Sequence, residues 1–123
     1  MTTAIPGVRA HIATALAGLG VNVYTYPDSQ PLQPPCVALL PGSPYRDPGT
    51  AWDSSTVNID VRLIVSDGAD LFPTQTMDAL IDAVVAALDA VQVQVGSIPA
   101  PTPEPEQAAI TCDIPTSTIW KDE

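Results

Sequence analysis

The chain has 123 residues, 46% of them apolar, and a formal net charge of −10 from 14 acidic and 4 basic side chains. That length suits one domain, with a core that buries roughly two thirds of the unfolded surface. Four scattered cations cannot neutralise a run of phosphates or hold an anionic bilayer, which argues against nucleic-acid and membrane-surface binding.

From the N-terminus, "MTTAIPGVRAHIA" lacks the basic start and long apolar run of a signal peptide, and no window approaches the roughly 20 apolar residues of a membrane span. Ile5, Val8, Ile12, Leu16 and Leu19 recur at three- and four-residue steps, which predicts a helix over 5–18 with Pro6 in its first turn and Gly18 and Gly20 at its stop. "VNVYTY" alternates as a short strand, with Val21, Val23 and Thr25 on one side. A proline-rich arm, 27–35, leads to the apolar run "CVALL", a second strand.

The stretch 41–55, "PGSPYRDPGTAWDSS", reads as a long loop carrying Tyr45, Arg46 and Trp52. "TVNIDVRLIVS" is the clearest strand: Val57, Ile59, Val61, Leu63 and Val65 make one apolar face, and Asn58, Asp60 and Arg62 make the other. A second helix starts near Asp70 and carries Met77, Leu80, Ile81, Val84 and Leu88 inward, with Val91 at the end of the same face. "VQVQVGSI" then alternates as a strand over 91–96, "PAPTPEPEQ" (99–107) reads as an extended proline-rich linker, and "AAITCDI" reads as the last strand, with the tail a possible continuation past Pro115.

The order α-β-β-β-α-β-β predicts one α+β domain over 1–123: a mostly antiparallel sheet of four to five strands with two helices on one face. Little here suggests catalysis. His11 is the only histidine and flanks the apolar stripe of the first helix, so no nucleophile–base set assembles in sequence. Asp78, Asp82 and Asp89 form a carboxylate stripe, read as a solvated helix face and not as a convergent metal cage. Cys36 and Cys112 sit in apolar, strand-like stretches and read as buried, reduced thiols. No cofactor, metal or catalytic residue is expected.

Tyr45, Trp52, Phe72 and Trp120 lie in or near loops and termini. They either plug the ends of a small core or, together with Arg46, anchor a protein interface. The proline arms favour assembly, since a pre-extended chain loses little entropy on docking.

The stretch "VNVYTYPDSQPLQPPCVALLPG", the strand "TVNIDVRLIVS", the helix "TMDALIDAVVAAL" and a closing strand pair together resemble the tail terminator (tail completion) proteins of long-tailed bacteriophages, especially those of actinobacterial hosts. The likeness spans nearly the whole chain as a pattern of order and spacing, with no chemical motif. It implies a non-enzymatic virion subunit in the neck region of the tail, assembled in the host cytoplasm. It also implies a homohexameric ring that caps the head-proximal end of the tube of major tail tube protein, ends its polymerisation and meets a head-completion or neck protein, while DNA passes without specific binding. Asn58, Asp60 and Arg62 are then candidates to face the lumen or a neighbouring subunit. A neck connector subunit and a small acidic protein-binding module are the rival readings.

Overall fold

The computed structural model describes residues 4–26, 35–48, 54–66, 73–104 and 109–121. In chain order these form α1 (Ala4–Leu16) with a 3-10 turn (Ala17–Leu19), β1 (Asn22–Tyr24), β2 (Cys36–Pro48), β3 (Ser54–Ser66), α2 (Pro73–Ala90), β4 (Gln94–Val95), β5 (Thr102–Glu104) and β6 (Ala109–Lys121). One 6-stranded sheet runs β1-β2-β3-β6-β4, with β5 also on the outer side of β6. The expected α+β class with two helices holds, but the sheet is larger than the four to five strands read from sequence.

Both helices pack on one face of the sheet, and the period-2 pattern of β3 explains how. Val57, Ile59, Val61, Leu63 and Val65 are at most 1% exposed and meet Val8, Ile12 and Leu16 of α1 and Met77, Leu80, Val84 and Leu88 of α2 in one core. Fully burying each such side chain contributes at most about 1.5–3 kcal/mol. Asp78, Asp82 and Asp89 fall on the exposed side of α2, as their offset from the apolar stripe requires.

Four details depart from the sequence reading. The stretch 41–55 is not one loop: β2 continues to Pro48 and β3 begins at Ser54, paired through Arg46–Val57, Asp47–Thr56 and Pro48–Ser55. Apolar periodicity was masked there because the register shifts between Pro41 and Arg46. A bulge of this kind inserts unpaired residues into one strand and re-aims the side chains beyond it. Second, β1 pairs with β2 in parallel. Parallel neighbours need a crossover connection and cannot be joined by a tight hairpin turn.

Third, the alternating "VQVQV" yields only the two-residue β4, because its first half closes α2. Gln92 takes a left-handed φ of 64°, Val93 N–H donates to Leu88 O at 3.0 Å, and Gln92 N–H donates to Asp89 O at 3.1 Å. This is a Schellman cap, completed by the apolar pair Val93 and Leu88, both buried. Fourth, the linker 99–107 contributes a short strand, β5, whose Thr102 and Glu104 sit opposite Thr111 and Ala109. The start of α2 expected at Asp70 lies outside the described residues.

Strand β6 continues past Pro115 to Lys121 and pairs with β3 along its full length. Proline is tolerated at 115 because its carbonyl, and hence its missing N–H, faces the outer edge, where only Gly96 N–H approaches at 2.9 Å. On the other edge of the sheet, Pro41, Pro44 and Pro48 lie in β2 beyond the reach of β1, and prolines there discourage edge-to-edge pairing.

Candidate functional site: the open sheet face and the buried arginine

The face of the sheet turned away from the helices collects the alternate residues of each strand. At one end Tyr24, Cys36, Ile64 and Ala109 form a second, small apolar cluster. Along the middle, β3 presents Thr56, Asn58, Asp60 and Arg62, each half-buried. The structure therefore brings together the three residues that alternation put on one face, and β6 adds Asp113 opposite Arg62 and Ser117 opposite Asn58.

The charges on this face are partly self-neutralised. Arg62 forks onto Asp113, Nε to Oδ1 at 2.8 Å and Nη2 to Oδ2 at 3.0 Å. The Asp113 hydrogen bond holds the Arg62 guanidinium above its ordinary pKa, more than offsetting partial burial. Asp60 lies beside this pair without a share in the fork. Burial raises its pKa first, and the negative Asp113 raises it further, against the lowering pull of Arg62. Asn58 staples the face to the β2 bulge: its Nδ2 donates to Pro44 O at 2.7 Å, and its Oδ1 accepts from Ser117 Oγ at 2.7 Å. Gly42 lets the bulge close onto that staple, since a Cβ at 42 would meet the Asn58 carbonyl oxygen at 2.6 Å.

On the helix side, the bulge carries Tyr45 to a residue that sequence reasoning passed over. Arg9 of α1 is only 5% exposed. Its Nε donates to Tyr45 Oη at 2.9 Å, and its Nη1 donates to Leu39 O at 2.8 Å and also to Thr25 O. The guanidinium carbon lies 4.8 Å from the centre of the Tyr26 ring and 5.8 Å from that of Tyr45, both within cation–π range. The signal was present: position 9 stands four residues after Ile5 and three before Ile12, inside the apolar stripe.

The aromatic candidates separate. Tyr45 and Trp120 are half-buried and pack against the main core. Trp120 lies over α1 at Gly7, where an added Cβ would sit 2.5 Å from the indole. Arg46 is exposed, with Nε at 3.2 Å and Nη2 at 2.9 Å from Ser55 Oγ. Trp52 and Phe72 lie outside the described residues.

For chemistry, His11 is exposed on α1, with Nε2 3.2 Å from Val91 O. Cys36 and Cys112 are buried free thiols: burial pushes Cys36 up to about 11, and burial plus the nearby Asp113 charge raise Cys112. Among the described residues no group of three or more His, Cys, Asp or Glu is placed to hold a metal ion, and no helix is long and apolar enough to cross a membrane.

No family model matches the chain, and no curated protein matches it.

Proposed function

We propose that this protein is a structural subunit of a phage virion: a tail terminator that closes into a ring at the head-proximal end of the tail tube, ends tube growth and joins tail to head. The observation that carries the reading is the open far face of β3. The central strand of a sheet is half-exposed there, on a slab whose other face is fully packed by two helices. Its donors and acceptors are tied to one another, through Arg62–Asp113 and Asn58–Ser117, and not aimed at a common point as a small-molecule site would need.

A face whose donors and acceptors are largely tied to one another suits contact with a neighbouring subunit or with a lumen. With Asp60, Asp113 and Glu104 around Arg62, this part of the face is net negative among the described residues and would repel the phosphates of passing DNA. The net charge of −10 favours a second reading, a small acidic module that binds a basic protein.

Negative-stain imaging and light-scattering mass of concentrated protein, with and without Mg²⁺ and with purified tail tubes, test the proposal. Closed rings of about six copies, alone or on tube ends, support it. A chain that stays monomeric in every mixture and binds no tube end overturns it.

A further inference from the structure

The middle of the open sheet face holds more acid than the chain can match. Asp60 stands in register with Leu40 on β2 and Pro115 on β6, and neither side chain has a hydrogen-bond donor. One row along, Asp113 is held in the fork with Arg62. Glu104, opposite Ala109 on the same face, is close enough to act on the Arg62 charge.

Every cationic side chain of the chain has a known place, and only Arg62 stands beside Asp60. The sequence has four Lys and Arg residues. Arg9 is buried on the helix side. Arg46 is in register with the helix-facing Val57 and bonds Ser55. Lys121 pairs with Ser54 at the far end of the face, roughly 20 Å of strand from Asp60 and beyond the reach of a screened charge. The only histidine, His11, lies on α1. The residues outside the described set include no Lys, Arg or His, so they cannot reverse the sign of this part of the face. Partial burial makes the Asp60 charge harder to hold than in water, and Asp113 opposes it more than Arg62 relieves it.

We propose that this part of the sheet face is a docking surface for a basic segment of another protein, an extended stretch whose Arg or Lys side chains meet Asp60 and Asp113 in neighbouring rows. Charge complementarity identifies the occupant. A partner guanidinium or ammonium brings Asp60 the donors and countercharge that Leu40 and Pro115 lack. Alternate side chains of an extended peptide repeat at about 6.6–7 Å, the spacing of the rows themselves. A second copy fits poorly: its Arg9 is buried, its Arg62 lies inside the acidic face, and two bodies of charge −10 repel. The inference rests on the acidic-module reading above and gives it a surface. It requires no ring, so it and the ring proposal fail separately.

The test titrates the isotope-labelled full chain with a blocked peptide of alternating Arg and Thr at low ionic strength, and with the same peptide carrying citrulline for Arg, following backbone amides by NMR. Saturable shifts centred on Asp60, Arg62 and Asp113 are expected with the Arg peptide and none with the citrulline peptide. Asp60→Asn removes an uncompensated charge and should fold; it should weaken binding severalfold. Asp78→Asn removes one charge from the exposed side of α2 and should leave binding unchanged. No saturable shift, shifts centred elsewhere, or equal weakening by the two variants overturns the surface. Light-scattering mass decides the occupant. Self-association that is lost in Asp60→Asn and Arg46→Gln alike puts a second copy on the face and overturns the basic partner; a mass that Asp60→Asn does not change supports a separate one.

Discussion

Two threonines on the packed face of β6 make a paired experiment. Thr116 and Thr118 are two residues apart, opposite Ile59 and Val57, and are 3% and 9% exposed. Thr116 Oγ1 donates to Ile59 O at 2.7 Å. Thr118 Oγ1 is buried with no hydrogen-bond partner. Valine replaces the hydroxyl with a methyl of similar size in both cases, so shape and strand preference barely change and the hydrogen-bond state decides the sign.

At 118 the substitution removes an uncompensated polar group, whose burial costs about 1–3 kcal/mol, and adds a methyl against Val57. Thr118→Val should therefore stabilise by about 1–2 kcal/mol, or roughly 4–8 °C in Tm for a chain of this size. At 116 the same change removes a satisfied bond with a net value of about 0.5–1.5 kcal/mol, so Thr116→Val should destabilise by up to about that much. Urea titrations with unchanged m-values provide the measurement. Two variants that shift stability in the same direction by similar amounts would refute the reasoning, because the difference in hydrogen bonding would then carry no energy.

Gly42→Ala places a Cβ 2.6 Å from a backbone oxygen that cannot turn aside, so it should cost about 2 kcal/mol or more in the same titration. Gln92→Gly relieves a left-handed non-glycine residue at the α2 cap, and thermal melts should show a gain of about 0.5–1 kcal/mol. Asp60 has a raised folded pKa, so the folded chain holds its proton more tightly than the unfolded one. Stability should therefore fall as pH rises from the unfolded value to the folded one, and Asp60→Asn should remove that slope in acid-range melts. Cys36, pushed up to about 11, and the buried Cys112 should react with a thiol reagent at neutral pH only as fast as the chain opens, and rapid labelling in native buffer would contradict their burial.

How far the fold was legible depended on whether one period governed a segment. In β3 every second residue is buried from Val57 to Val65, and α1 and α2 each keep one apolar stripe, so class, helix faces and the central strand could be read directly. Where two signals overlapped, tertiary context decided. Val91 and Val93 alternate like a strand, yet the cap of α2 claims them because Val93 buries against the same core as Leu88. Pro41, Gly42 and Pro44 look like loop punctuation but belong to a bulged edge strand, where missing donors cost little.

The candidate site was legible in the same uneven way. Alternation alone put Asn58, Asp60 and Arg62 on one face; their partners Ser117 and Asp113 required the β3–β6 register, which no local pattern encodes. Arg9 shows the deeper limit. A charged residue in an apolar stripe is ordinarily read as a break at the edge of the stripe, because a buried charge needs compensation that a linear sequence cannot display. Here the compensation comes from Thr25 and Tyr26 after β1, from Leu39 before the β2 bulge and from Tyr45 within it. The turn after β1 and strand β2, both distant in sequence from α1, converge on one guanidinium.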